Sequence, residues 1–286
     1  MNSVLARRTR ILAATTAAAG LLLVAGCTST DDGGSGGTKT AAGGVELVKA
    51  GQLTTCTHLP YPPFQSEIDG KVQGFDVALI DLVAKDLGVK QDILDTPFEN
   101  FKTGAFLNSG ECDLAAAGMT ITDERKKNVD FSDPYFDATQ AVLADKDAGI
   151  SSFADLKGKK VGAQAQTTGE DYAKSQGLDP VSFESSDAVL NGLRSGQVDA
   201  VVIDYPVVQG WLKDKPNADA FEVADNINTG EQYGFTVKKG NTKLLAAINK
   251  ALAEAKSDGT YRELYEKWIG PYDESAASAS PSASAS

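Results

Sequence analysis

Four short segments of this chain collect side chains able to hold a small ionised molecule. "GMTITDER" (118–125) ends in an arginine, and "DYP" (204–206) opens on an aspartate. "HLPYPPF" (58–64) carries aromatics and the chain's single histidine, and "QAQTT" (164–168) carries amides and hydroxyls. A guanidinium presents planar paired donors that match a carboxylate, and a carboxylate pairs with an ammonium. A cation and an anion brought a few ångströms apart therefore describe a seat for a zwitterion, that is, for an α-amino acid. The sequence shows no metal-ligand spacing, nucleophile elbow or phosphate loop, so neither a cofactor nor a metal is expected.

The segments need elements to bring them together. "LTTCT" (53–57), "DLAAAG" (113–118), "KKVGAQ" (159–164), "VDAVVID" (198–204) and "YGFTVKK" (233–239) read as strands. "FDVALIDLVAKDLG" (75–88) sets Val77, Ile80, Leu82, Val83 and Leu87 at near-helical spacing and stops at Gly88. Helices are also expected over 167–177, 187–196, 242–257 and about 259–268. Thr122 with Asp123 and Glu124 reads as one more helix start, which puts Arg125 in a first turn, where the dipole disfavours a cation. Alternating strands and helices imply an α/β fold of parallel-dominated sheets flanked by helices. Ligands of such sheets sit beyond the carboxyl ends of the strands, where all four segments fall. Two of the loops also feed helix N-termini, which bind anions.

The 286-residue chain has a formal charge of −12 and 42% hydrophobic residues, which suits a globular protein of one or two domains. Residues 1–26 read as a signal peptide, with Arg7, Arg8 and Arg10 before an apolar stretch from Ile11 to Val24. It closes on "LVAGC" (23–27), which resembles the lipobox of bacterial lipoproteins and implies an acylated Cys27 as the mature N-terminus. Removing three arginines and no acid takes the formal charge from −12 to −15, which argues against a nucleic-acid partner. No later stretch approaches ~20 consecutive apolar residues, so membrane contact is expected through the lipid. Residues 27–44 read as a flexible tether and 273–286 as a disordered tail.

In order along the chain, "LTTCTHLPYPPFQSEIDGKVQGFDVALIDLVAKDLG", "CDLAAAGMTITDERKKNVDFSDPYFD", "DLKGKKVGAQAQTTGEDYAK", "SGQVDAVVIDYP" and "SDGTYRELYEKWIG" resemble the extracellular solute-binding proteins of family 3. These are the amino-acid receptors of ABC importers. The resemblance spans nearly all of 47–270, and "MTITDERKK" with "DFSDPYF" is highly specific. It implies a two-lobed periplasmic-binding-protein-like fold of type II, with ligand enclosed between lobes joined by two hinge strands. Lobe 1 would be 45–140 plus 233–272 and lobe 2 would be 141–232, with crossings near 139–144 and 228–233. The implied partners are a free amino acid and an ABC transporter permease, and the expected state is a lipid-anchored monomer on the extracytoplasmic face of the membrane.

The resemblance also assigns roles. Arg125 would hold the ligand α-carboxylate, supported by N–H groups near Thr120 and by the backbone of Thr168. Asp204 would pair with the α-ammonium, Gly118 would let the ligand approach a backbone carbonyl that accepts from that ammonium, and Thr120 would add a hydroxyl. Tyr61 would lie along the ligand side chain. Phe98 would be the second aromatic wall, with Phe101 as competitor because "TPFENFKTGAFLNSG" does not align cleanly. His58 stands where many family members carry Asp, and Gln164 matches another specificity position. Both are neutral, so the side-chain pocket is expected to favour a polar uncharged ligand, glutamine first. Two alternatives stay open: a dehydratase of the same fold acting on a small carboxylic acid, and a ligand-sensing module. Cys56 and Cys112 are expected to be buried thiols. If strands 53–57 and 113–117 run in parallel and end together, the two cysteines are offset by about four residues, or ~13 Å.

Overall fold

The computed structural model describes residues 39–273. Segment 1–26, Cys27 and the tail from 274 lie outside the described residues. The chain runs through β1 (Gln52–Thr57), β2 (Ser66–Ile68), β3 (Lys71–Gln73), α1 (Phe75–Asp86), β4 (Lys90–Asp95), α2 (Glu99–Thr103), α3 (Ala105–Ser109), β5 (Leu114–Ala115), β6 (Val129–Phe131) and β7 (Phe136–Asp145). It continues through β8 (Val161–Gln164), α4 (Thr168–Ser175), β9 (Val181–Phe183), α5 (Ser186–Arg194), β10 (Ala200–Asp204), α6 (Tyr205–Trp211), α7 (Lys215–Ala220), β11 (Phe221–Tyr233), β12 (Thr236–Lys238), α8 (Thr242–Asp258) and α9 (Thr260–Trp268). Among the described residues no helix is long and apolar enough to cross a membrane.

Two five-stranded sheets form the two lobes, in the orders β4–β1–β5–β12–β6 and β11–β7–β10–β8–β9. Each is parallel in one half, at β4–β1–β5 and at β10–β8–β9. The other half is antiparallel. The parallel character read from the sequence therefore covers only part of each sheet. The rest follows from connectivity: the chain leaves the first sheet at β6, enters the second at β7, and returns through β11 into β12. Strands that cross between sheets carry no intervening helix and so need not run parallel to their neighbours.

The elements arise from local sequence in ways that also aim the site. The run Ala200–Asp204 is buried at every position, as a strand covered on both faces requires, and it delivers Asp204 at its carboxyl end. Helix α1 buries Val77, Ile80, Val83 and Ala84 on one face and yields at Gly88, whose φ is +70°. Ser185 caps α5 by accepting from the Ala188 N–H at 3.2 Å. Only Leu114 and Ala115 of "DLAAAG" are strand, Ala116 stays tied to β1 through Cys56 and Thr57, and the run delivers Gly118 to the edge of the cleft.

Three expectations change here. The helix start at Thr122 is a single 3-10 turn, Arg125–Lys127, with the Thr122 hydroxyl accepting from the Arg125 N–H at 3.2 Å. So short a turn has no macrodipole to repel a cation. Residues 39–44, placed in the tether by composition, are folded: Thr40 bridges to Glu46, and the Gly44 carbonyl accepts from Lys243 at 3.1 Å.

The third correction is covalent. Cys56 and Cys112 form a disulfide with Cα atoms 5.7 Å apart. Cys56 faces Ala115 across the ladder, one position short of the Ala116 that the register argument supposes. The approach to β5 is not extended, however. The chain turns at Gly110 (φ +77°), and the Asp113 carboxylate is tied to the N–H groups of Thr54 and Val48 at 2.7 Å each, which folds Cys112 back over β1. The bridge closes a sequence separation of 56 residues, worth about 4 kcal/mol by chain entropy. Thiol titration of the denatured, unreduced protein should label neither residue, and the Cys56→Ala/Cys112→Ala pair should lower Tm by several degrees. Labelling of both cysteines before reduction would contradict the bridge.

Candidate ligand-binding cleft

Between the two sheets lies a small, nearly filled cavity of about 10 Å³ lined by Tyr61, Phe98, Gly118, Thr120, Arg125, Gln164, Thr167, Thr168 and Asp204. These are the residues singled out from the sequence, with Thr167 added and His58 left out. His58 sits beside the wall, its ring centroid 6.1 Å from that of Phe98. Its Nδ1 lies 2.9 Å from the Thr96 carbonyl, while Nε2 is buried without a partner. Phe98 is the wall residue, and Phe101 stacks outside it at 5.4 Å in a cluster that includes both bridged cysteines.

Arg125 is only 4% exposed. Its Nη1 donates to the Thr120 carbonyl at 2.9 Å and its Nη2 to the Gln166 carbonyl at 3.1 Å, so the guanidinium touches both lobes. The Phe98 ring lies 5.8 Å from Cζ. Among the described residues no carboxylate lies within ion-pair distance of Arg125. Burial pushes its pKa down, opposed by the fields of Asp204 and Glu231. Gln166 holds its carbonyl there at φ +64°, a left-handed conformation unusual for a side-chain-bearing residue.

Asp204 faces it from the other lobe, 5% exposed. It occupies the N-cap position of α6, yet its side chain makes no capping bond. Its carboxylate instead accepts from Tyr61 at 2.6 Å, from Tyr233, and from Gln140 Nε2 at 2.5 Å. Burial raises its pKa, while the hydrogen bonds and Arg125 pull it back. Tyr61 is itself braced by Gly118, whose φ is +54° and where a Cβ would come within 2.9 Å of the Tyr61 ring. That position requires glycine.

The remaining polar groups are informative through what they lack. Gln164 is 1% exposed, and both its amide oxygen and its amide nitrogen are buried without a partner. A buried amide left unpaired costs about 1–3 kcal/mol, so it marks a place where a ligand can repay the debt. Thr120 and Thr168 approach across the cleft, with hydroxyls 3.4 Å apart. Thr167 caps α4 by accepting from the Glu170 N–H at 3.2 Å.

Sequence reasoning missed Asp76, Gln140, Glu231 and Tyr233. Gln140 and Glu231 lie in the crossing strands β7 and β11, where no strand end or motif flags them. Tyr233 precedes a glycine and reads as core. Asp76 passes for a first-turn helix acid, but it is fully buried, accepting from Tyr135 at 2.6 Å and from the Gly118 N–H at 2.8 Å.

The chain belongs to the bacterial extracellular solute-binding proteins, family 3, whose model matches residues 53–271. It is 37% identical over 215 residues to the L-cystine-binding protein TcyJ of Escherichia coli, covering 73% of this chain and 79% of that one. It is 36% identical over 204 residues to the glutamine-binding protein GlnH of Bacillus subtilis, covering 70% and 74%. Among solved structures it resembles an ancestral arginine-binding protein bound to glutamine, with a TM-score of 0.72 and 44% identity over 78% of this chain and 99% of that one.

Burial raises the Asp76 pKa to about 6 from an ordinary 3.8. A carboxyl raised on folding favours the native state while protonated, so its contribution is full below pH 3.8 and is lost as pH rises through about 6. The loss is on the order of 3 kcal/mol. Denaturant unfolding followed from about pH 4 to about pH 6 should show this decline, and Asp76→Asn should remove it. An unchanged profile in the variant would place the titration elsewhere.

Proposed function

We propose that this protein is a lipid-anchored receptor that captures a free L-amino acid between its two lobes and presents it to an ABC importer permease. The observation that carries this reading is the buried Arg125 guanidinium, bonded only to carbonyls and facing Asp204 across one small cavity. A ligand α-carboxylate supplies the anion that Arg125 lacks, and an α-ammonium takes the remaining acceptor capacity of Asp204. Because the two ion pairs are rooted in different lobes, ligand binding favours the closed arrangement that the permease distinguishes from the open one. The lobes are taken as 45–140 plus 233–272 and 141–232, with β7 and β11 as hinges, and the receptor acts as a monomer.

The ligand side chain is read from Gln164. Its unpaired oxygen and nitrogen together ask for one donor and one acceptor in a plane, which is what a primary carboxamide offers. Glutamine is therefore the first candidate, with Tyr61 and Phe98 as walls. A lysine or arginine side chain would need a counter-charge at that end, and burying it unpaired is costly. The cavity's ionisable groups are all engaged in hydrogen bonds that fix them toward the two ends of an amino acid, which suits a carrier. The anchor is assigned to Cys27 on the extracytoplasmic face, and mass spectrometry of membrane-extracted protein should find a diacylglyceryl group there.

Calorimetry with the twenty amino acids at pH 7 tests the specificity. L-Glutamine should bind, and tight binding of arginine or lysine with glutamine silent would overturn the Gln164 reading. Arg125→Ala should weaken binding by ~2–5 kcal/mol, as truncating one side of a buried charge pair does. Arg125→Lys should also lose affinity, since an ammonium cannot make the fork. A variant binding as tightly as the parent would remove Arg125 from the carboxylate seat.

A further inference from the structure

The ammonium end of the cleft holds one more acid than the reading above uses. Glu231 lies on the second crossing strand, next to a break in the β7–β11 register. Its Oε2 accepts from Gln140 Nε2 at 2.7 Å, and the same nitrogen donates to Asp204 Oδ1 at 2.5 Å. The amide nitrogen has two hydrogens, and these two carboxylates take both; the Thr168 hydroxyl at 3.3 Å is a third, weaker neighbour. Gln140 Oε1 packs against Gly169, where a Cβ would come within 2.7 Å of it, and is buried without a partner. The oxygens of Asp204 and Glu231 are thus held within about 5 Å of each other, at a depth where like charges repel strongly.

We propose that Glu231 is a positioning residue of the ammonium seat, forming with Asp204 a carboxylate pair that shares a proton while the cleft is empty and gives it up when the amino acid's ammonium arrives. This deepens the amino-acid reading and rests on it. The exchange balances: the ligand enters as a zwitterion, its –NH3+ replaces the shared proton as the neutralising charge, and the proton leaves to solvent. The groups facing the pair are consistent with it. Arg125 is the cation whose field acts on Asp204, and its guanidinium bonds are spent on carbonyls. Tyr61 and Tyr233 are neutral phenols that donate to Asp204, their pKa values pushed well up by burial and by that carboxylate. Asp171, at the start of α4, adds negative field at Arg125. Burial raises the pKa of Glu231, and the Asp204 charge raises it further, against hydrogen bonds from Gln140 and Thr168.

The sign follows from linkage. If filling the site expels a proton, affinity must rise with pH up to the raised pKa of the empty pair and level off above it. While the proton is being released, affinity should change by up to about tenfold per pH unit.

The test is calorimetry with the amino acid found to bind, from about pH 5 to about pH 8, in pairs of buffers that differ in ionisation enthalpy. The native protein should release protons on binding and lose affinity toward low pH. Glu231→Gln should release few or none and show a flat profile, binding about tenfold more weakly at the high-pH end and converging with the parent at the low end. A native protein that binds without proton release overturns the proposal, whether or not the variant folds. Equal proton release by parent and variant overturns it as well. If no amino acid binds at any pH, it is the amino-acid reading that has failed, and the two failures are thereby distinguished.

Discussion

A guanidinium buried with no anion against it is the condition around which the cleft is organised. Removing a charge from water costs several kcal/mol unless it is paired, and carbonyl oxygens compensate only in part. Arg125 receives one carbonyl from its own lobe and one from Gln166 across the cleft, so lobe closure and the solvation of this cation are a single event. In the seat proposed above, a ligand carboxylate improves that environment only when the lobes are together. Closure therefore becomes favourable in proportion to how well the ligand completes the seat, which is the differential affinity a conformational switch requires.

Opposite it, Asp204 shows how a carboxylate is kept available. At the head of a helix it would ordinarily bond to the helix N–H groups, but its side chain makes no such bond and turns into the cleft. Two tyrosines and an amide hold it there, and both tyrosines, Tyr61 and Tyr233, fall in the segments assigned to the other lobe. Gln140 and Glu231 come from the two crossing strands, so the seat proposed for the ammonium is built on the segments proposed as hinges. Bending there must move the groups that hold Asp204.

Much of this was legible in the sequence because it is local. Strand ends, cap residues and the "MTITDER" and "DYP" segments are short-range features, and they led to Tyr61, Gly118, Thr120, Arg125, Gln164, Thr168 and Asp204. What stayed hidden depends on how distant segments meet. Gln140 and Glu231 lie within long crossing strands, 91 positions apart, and nothing in either stretch announces the other. The disulfide was misread because a strand register right to within one residue was extended through residues that are not strand. His58 was placed at the pocket by its position at the end of β1, but the ring turns toward the Thr96 carbonyl instead. The helix supposed to begin at Thr122 failed for a simpler reason: its acids are followed by three basic residues and no apolar face to bury.

The most direct measurement is a crystal structure of the protein with L-glutamine bound. The account predicts the ligand α-carboxylate within hydrogen-bond distance of both Arg125 Nη atoms, the α-ammonium on Asp204, and the side-chain carboxamide paired with the amide of Gln164. A ligand lying with its carboxylate away from Arg125, or seated outside this cleft, would contradict it.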